Sequence, residues 1–319
     1  MKWKKLGKIF DPTDHKLANN CVEFAQSPQA LVFDDYVRIY FSTREKDKTN
    51  KYLSHVSFID VDRELKNILN ISNHTVIPLG ELGCFDEHGI FPINIVRAKD
   101  SDKILAYTTG WNRRVSVSAD ASIGLAISDD NGLTFKKNGD GPIMTSSLHE
   151  PFLVCDAFVA VFENIYHMWY IYGSRWIVDP AESSPQRVYK IVHAKSTDGL
   201  SWEKESRQII TDTLNENECQ ALPTVIYFDN RYHMFFCYRE AIGFRNIKGR
   251  GYRIGYAYSE DLVNWTRDDE SIEMDTTQDD WDSDMKCYPN VFSCGEKIYL
   301  LYNGNEFGRF GFGLAVLEN

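Results

Sequence analysis

Apolar and polar positions follow a frame that the chain repeats, shown most clearly at residues 217–240, NECQALPTVIYFDNRYHMFFCYRE. An acidic residue stands five positions before a proline. A short apolar run follows, then a polar turn, then an aromatic-rich run that ends on a charged residue. The frame returns as CVEFAQSPQALVFDDYVRIYFSTRE from Cys21, DEHGIFPINIVRAKDSDKILAYTTGW from Asp86, VCDAFVAVFENIYHMWYIYGSR from Val154 and DMKCYPNVFSCGEKIYLLYNGN from Asp284. Aligned on Pro28, Pro92, Ala157, Pro223 and Pro289, the repeats advance by 64, 65, 66 and 66 residues. The first runs (ALVF, INIV, FVAVF, TVIYF, NVF) are continuous rather than alternating, the mark of strands buried on both faces. Second runs (VRIYFS, KILAYTT, YHMWYIY, YHMFFCY, KIYLLYN) follow turns rich in Asp, Asn, Lys and Gly, as hairpins require.

A third element shares the period. SIGLAISDDNGLTFKK, KIVHAKSTDGLSWEK and RIGYAYSEDLVNWTRDD each give a strand, a Ser-acid-Asp turn and a strand with an aromatic before charged residues. Asp129, Asp130, Asp198 and Asp261 in these turns are expected to bond their own backbone rather than a substrate. Repeats of this length fit four short strands, one blade of a β-propeller. The expectation is an all-β fold: a single five-bladed β-propeller domain over residues 1–319. The C-terminal FGFGLAVLEN reads as a third strand without a fourth, and MKWKKLGKIF as an outer strand without a hairpin. Trp3 to Phe10 is therefore expected to complete the fifth blade and close the ring.

Composition changes this picture only at its edges. Seventeen Tyr, nineteen Phe and seven Trp suffice to fill the gaps between blades, and aromatic rings also suit sugar stacking. The formal charge of −11 argues against a nucleic-acid partner, which calls for a basic face. The chain shows neither a secretory signal pattern at its start nor an apolar run of membrane-span length, so no membrane partner is expected. Seven scattered cysteines without CxxC spacing predict a reduced, cytoplasmic protein, with Cys21, Cys155, Cys219 and Cys287 as buried apolar groups.

In a hairpin, the start of the first strand and the end of the second lie at one end, so radial hairpins gather these ends at one mouth. Strand starts contribute Glu23, Asp86, Glu87, His88, Asp156, Glu218 and Asp284; strand ends contribute Arg44, Trp111, Arg175, Trp176, Arg239, Glu240 and Asn305. His149 is a further candidate. A funnel with acids and tryptophans is a reasonable ligand site. A plainer reading holds too, because an acid in the same slot of four repeats fits a structural bond to a neighbouring amide. Repeat three breaks the slot with Phe152, which singles out Asp156.

The five repeats and the SxDGxxW-like turns resemble the five-bladed propeller glycosidases, the superfamily of glycoside hydrolase families 32, 43, 62, 68 and 130. The resemblance implies cleavage of a glycosidic bond in an oligosaccharide or glycoside. CDAFVAVF resembles the RDP segment of family 32, which puts Asp156 in the stabilising position. NECQALP resembles the glutamate-cysteine element that carries the acid, which makes Glu218 the proton donor. Blade one departs, with Ser27 in QSP where the family has aspartate, and blade two has FPIN, with Ile93 and Asn94, where family 43 has WAPD. Glu23 is then the candidate base, across the funnel at the wider carboxyl spacing that inversion uses. Arg44, Glu87, His88, Trp111, Arg175, Arg239 and Asp284 are the expected substrate contacts. No cofactor is required; the resemblance also implies a structural calcium ion in the channel as an option. The arginines favour an anionic sugar or inorganic phosphate, and family 130 implies phosphorolysis as the alternative to hydrolysis. Loss of the blade-one aspartate leaves a non-catalytic glycan-binding propeller as a third reading.

Overall fold

A computed structural model describes residues 1–274 and 281–318. Strand β1 (Lys2–Phe10) is followed by a first unit of β2 (Glu23–Val32), β3 (Tyr36–Lys46), β4 (Tyr52–Asp62) and β5 (Ile68–Ile71). The second holds β6 (Gly89–Arg97), β7 (Ile104–Arg113), β8 (Ala119–Ser128) and β9 (Lys136–Lys137). The third holds β10 (Val154–Phe162), β11 (Ile165–Ile177), β12 (Gln186–Ser196) and β13 (Glu203–Lys204). The fourth holds β14 (Cys219–Phe228), β15 (Arg231–Arg239), β16 (Arg253–Ser259) and β17 (Thr266–Arg267). The last holds β18 (Glu273–Met274), β19 (Cys287–Cys294), β20 (Lys297–Asn303) and β21 (Phe312–Glu318). Each of the first four units is an antiparallel meander in sequence order, and a parallel bridge between Ser54 and Gly89 joins the first two into one sheet. In the last sheet the order is β18-β1-β21-β20-β19, with β1 antiparallel to β21 from Lys2 opposite Glu318 to Phe10 opposite Phe312. The fold is nearly all-β and consistent with a β-propeller.

The apolar inner strands explain the packing. Buried side chains gather into clusters that span neighbouring units: Tyr40, Phe58 and Ile93; Tyr107, Val159 and Met168; Trp169, Val188 and Phe236, which extends to Cys287 and Tyr288; Phe235, Val291 and Tyr302. A further cluster, with Ile39, Phe41, Leu301 and Phe312, joins the first unit to the last. Polar bonds tie the same neighbours. Asn94 Nδ2 donates to Gln29 Oε1 at 3.1 Å, Val159 N to Asn94 Oδ1 at 2.9 Å, and Ala30 N to Asn290 Oδ1 at 2.9 Å. Asn94, a departure from the family 43 pattern, thus carries an inter-unit bond, while Ile93 is core.

Asp130, Asp198 and Asp261 bond their own backbone in the outer turns as predicted, whereas Asp129 is exposed beside Lys103 Nζ at 3.6 Å. Asp198 accepts from Leu200 N and Ser201 N at 2.8 Å, and Asp261 from Val263 N and Asn264 N at 2.9 and 2.8 Å. Tyr40 and Tyr107 each reach into the turn of the next unit, donating to Gly132 O and Gly199 O at 2.8 Å. Gly132 has φ +78°, and a Cβ there would sit 2.1 Å from the Tyr40 hydroxyl, so the approach requires glycine.

Candidate active site

The inner strand of every unit carries a bulge, with register shifts at Gln26/Gln29, Ile90/Ile93, Cys155/Phe158, Ala221/Thr224 and Cys287/Asn290. A bulge inserts a residue and re-aims a side chain. In four units the residue just before the aligned Pro or Ala is left-handed: Ser27 (φ 53°), Asp156 (φ 57°), Leu222 (φ 48°) and Tyr288 (φ 58°). Such φ values are costly for bulky residues and persist only where the surroundings impose them. Here neighbouring units do so: Asp156 N donates to Thr109 Oγ1 at 2.9 Å and Ser27 N to Asn303 Oδ1 at 2.8 Å.

Asp156, Leu222 and Tyr288 of these positions, and Phe91 at the corresponding place before Pro92, line one cavity of about 280 Å³, with Trp111, Asp120, Tyr189, Tyr252 and three arginines, Arg44, Arg187 and Arg245. Its volume suits a small ligand, since drug-sized sites run from about 300 to 1,000 Å³. Arg44 Nε donates to Gln26 Oε1 at 2.9 Å, Arg187 Nη1 to Ser118 Oγ at 3.3 Å and Arg245 Nη1 to Gln186 Oε1 at 3.5 Å. Among the described residues, none of the three has a carboxylate within ion-pair distance. Burial lowers the Arg44 pKa, with Arg187 and Arg245 adding to the effect; burial lowers that of Arg245, aided by Arg239 and Arg187. Three guanidiniums thus crowd one cavity and call for an anion.

Asp156 stands among them. Withdrawal from water pushes its carboxyl up to about 7, against the pull of Arg187, the Cys155 thiol and the Leu222 amide, although its side chain opens onto the cavity. A carboxyl of this kind changes its proton near neutrality, as a general acid must. Asp120 lines the same cavity, with a short ion pair to Arg114 and a 3.0 Å hydrogen bond from Ala121 N. Behind the wall, Arg239 Nη2 donates to Tyr189 OH at 2.8 Å, and the Tyr189 and Tyr252 hydroxyls share a short hydrogen bond.

The remaining predicted site residues lie elsewhere. Glu218 is fully buried, ion-paired to Arg267 at 2.6 Å, and accepts from Thr213 N at 2.9 Å, Leu214 N at 3.0 Å and Gln220 Nε2 at 3.0 Å. Burial alone would raise its pKa; the bonds from Gln220, Thr213 and Arg267 outweigh it and hold the carboxyl below its ordinary value. It is one of a set. Asp86 pairs with Lys137, Glu150 with Lys204 at 2.6 Å, and Asp282 with Lys5 at 2.7 Å. In each case the segment entering the inner strand pins a buried acid to a cation on an outer strand of the same sheet. The outer strands share a signature, Trp3-x-Lys5, Phe135-x-Lys137, Trp202-x-Lys204 and Trp265-x-Arg267, two residues that face the same way.

Glu23 pairs with Arg309 at 3.0 Å, and Glu87 accepts from Gly83 N at 2.8 Å and touches His88 at 3.3 Å. His88 stacks on Trp111, and burial followed by Arg113 lowers its pKa. Arg175 donates to Glu216 O at 2.8 Å, Arg239 lies buried against Phe244, Asp284 is exposed near Lys248, and His149 is exposed. Of the ten predicted site residues, Arg44, Trp111 and Asp156 come together in the cavity. Arg187, Arg245, Tyr189, Tyr252, Tyr288 and Asp120 were not predicted as site residues, although the basic loop REAIGFRNIKGRGYR that supplies Arg245 and Tyr252 was a visible signal. Among the described residues no three His, Cys, Asp or Glu side chains gather to hold a metal ion. Calcium takes six to eight oxygens, and two aspartates among three guanidiniums do not fit it.

The fold that holds this cavity is similar to that of solved glycoside hydrolases. A solved glycoside hydrolase superposes with a TM-score of 0.73 at 16% identity, over 99% of this chain and 91% of that one. A structure from the GH130 family of mannoside phosphorylases, which contains glycoside hydrolases that target β-1,2 mannosidic linkages in Candida mannan, superposes with a TM-score of 0.67 at 12% identity, over 99% and 93%. The chain belongs to the family of uncharacterized protein Rv1502 of Mycobacterium tuberculosis (strain ATCC 25618 / H37Rv), with 34% identity over 325 residues and 100% of both chains covered. No family model matches it. Among the described residues no helix is long and apolar enough to cross a membrane.

Proposed function

We propose that this protein is a carbohydrate-active enzyme that cleaves a glycosidic bond by phosphorolysis, with Asp156 as proton donor. The observation that carries the reading is one carboxyl poised near neutrality facing three arginines without carboxylate partners in one cavity. Arg44, Arg187 and Arg245 hold inorganic phosphate, which guanidinium binds through paired N–H donors. A phosphate oxygen forms the new bond to the anomeric carbon as the glycosidic C–O bond breaks. The Asp156 proton goes to the departing oxygen, and the proton of the attacking hydrogen phosphate restores Asp156. Phe91, Trp111 and Tyr288 supply apolar faces for the sugar.

Hydrolysis is the second reading, favoured by Asp120 on the same wall, where it would serve as base to Asp156. The rim acids Glu218 and Glu23 then serve the scaffold in either case. We further infer that the five units are the blades of one closed ring, a single domain over residues 1–319, with β1 completing the last blade. The β1–β21 pairing and the cluster shared by the first and last units support this.

Product release from neutral and acidic oligosaccharides and aryl glycosides, with and without phosphate, tests the function. Phosphate-dependent release of a sugar phosphate that Arg187→Ala abolishes is expected. Turnover indifferent to phosphate but lost in Asp120→Asn assigns hydrolysis, and a glycan that raises the melting temperature without any turnover contradicts both readings.

A further inference from the structure

Arg239 is a fourth arginine that, among the described residues, has no carboxylate within ion-pair distance, and it is not itself part of the cavity wall. It is buried, lies against Phe244 with its guanidinium carbon 3.5 Å from the ring centroid, and donates to Glu240 O at 2.7 Å and to Tyr189 OH at 2.8 Å. A buried charge without a counter-ion is costly. What Arg239 acts on is the wall, because Tyr189 lines the cavity together with Tyr252, and the two phenol hydroxyls share a hydrogen bond.

Counting protons gives the direction of these bonds. Guanidinium donates and never accepts, so the Tyr189 oxygen accepts from Arg239. Burial pushes the Tyr189 phenol up to about 12 and the Tyr252 phenol well above its ordinary value, so both keep their protons at neutral pH. The shared bond uses one of those two protons. Among the described residues nothing accepts the other. A hydroxyl that accepts from a cation is polarised into a better donor, which makes Tyr189 the donor of the shared bond and leaves the free proton on Tyr252. Buried donors are satisfied almost without exception, so the acceptor has to come from the open side. Tyr252 also borders a separate cleft with Asp284 and Lys286, but Tyr189 does not; the hydroxyl end of Tyr252, bonded to Tyr189, is therefore on the cavity side. Arg187 acts on the Tyr189 hydroxyl and both hydroxyls act on Arg245, which sets the pair beside the guanidiniums of the cavity.

We propose that Tyr252 is a further ligand-binding residue whose hydroxyl donates to an anionic oxygen of the ligand in the cavity, with Arg239 and Tyr189 as positioning residues that fix the direction of that bond. The inference rests on the cavity as the anion site of the proposed reaction. It adds a neutral donor to the three guanidiniums and gives the buried, unpaired charge of Arg239 a role at the ligand.

Calorimetric titration of the full chain with inorganic phosphate tests it, on the wild type, Arg187→Ala, Tyr252→Phe, Tyr189→Phe and the double variant Tyr189→Phe/Tyr252→Phe, each checked for folding by circular dichroism. A hydrogen bond to a charged group is worth about tenfold in affinity or more, so Tyr252→Phe is expected to weaken phosphate binding at least that much. Tyr189→Phe is expected to weaken it less, and to change it by no more than about twofold when Tyr252→Phe is already present, because it acts through that hydroxyl alone. Tyrosines that merely pack the wall would leave phosphate affinity unchanged while lowering the melting temperature of the ligand-free protein. Phosphate affinity within about twofold of wild type in Tyr252→Phe, or losses that simply add in the double variant, overturns the proposal. Where the wild type or Arg187→Ala shows that phosphate does not bind at the arginines, sulfate and glucuronate are titrated in its place. Binding of either that Tyr252→Phe weakens tenfold upholds the proposal and sinks phosphorolysis alone, and binding of none of the three overturns both.

Discussion

Glu218 and Asp156 are both carboxylates withdrawn from bulk water at the inner strands of successive repeats, yet they end in opposite states. Glu218 meets Arg267, two backbone amides and Gln220 in a fixed geometry, and its carboxyl is held below the ordinary range. Asp156 has its guanidiniums across an open cavity, where desolvation dominates and its carboxyl rises to about 7. Burial therefore does not distinguish a structural acid from a chemical one; saturation of its lone pairs does. The same contrast separates the repeated acid–cation clasps of the outer strands from the cavity, where, among the described residues, Arg44, Arg187 and Arg245 have no carboxylate within ion-pair distance.

The largest effect should come from removing a clasp with its strand. A variant lacking residues 1–10 loses Trp3 from the core, the β1–β21 pairing and the Lys5–Asp282 pair. It should lose its cooperative thermal transition, and a melting temperature equal to that of the full chain would break the closed-ring account. Next is Arg267→Ala, which strands the buried Glu218 carboxylate at a cost of about 3–5 kcal/mol in urea unfolding. A cost below ~1 kcal/mol would mean that the clasp is not structural.

Asp156 should show the opposite sign. Its folded pKa of about 7 lies above the ordinary aspartate value, so between about pH 4 and pH 7 the folded state holds the proton more tightly than the unfolded state. Stability then falls as pH rises through that window, by up to roughly 1.4 kcal/mol per unit. Asp156→Asn cannot titrate, so its advantage in melting temperature over the wild type should grow from pH 4 to pH 7 and then level off. A constant difference would show that Asp156 is not raised. The smallest effect is expected at Asp198→Ala, where an exposed turn loses bonds to Leu200 N and Ser201 N. Less than about 1 kcal/mol in the same unfolding assay would match its role as punctuation.

The strand plan was legible in the sequence because buried inner strands write continuous apolar runs and turns write Asp, Asn and Gly. The site was legible only in part. Slot logic placed the acids five residues before the proline, but the entering segments differ in length, so the clasp acids fall at Asp86, Glu150, Glu218 and Asp282 rather than in one column. The aromatic-x-cation signature of the outer strands was the readable clue to their partners. What selects Asp156 is the bulge that turns the residue before Ala157 toward the cavity. A bulge is a matter of register between two strands, which one strand's residues do not reveal. Ser27 and Leu222 stand at the same turned position without a carboxyl, and Asp156 alone among these positions carries one.

Turnover of Asp156→Asn and Glu218→Gln, compared side by side on a substrate that the wild type cleaves and at a temperature where circular dichroism shows both folded, tests the central claim most directly. The account predicts a loss of about a hundredfold or more in Asp156→Asn, the size of a lost general acid, and near wild-type turnover in Glu218→Gln. A folded Glu218→Gln that loses turnover while Asp156→Asn keeps it would contradict the account and return the chemistry to the acid–cation clasps.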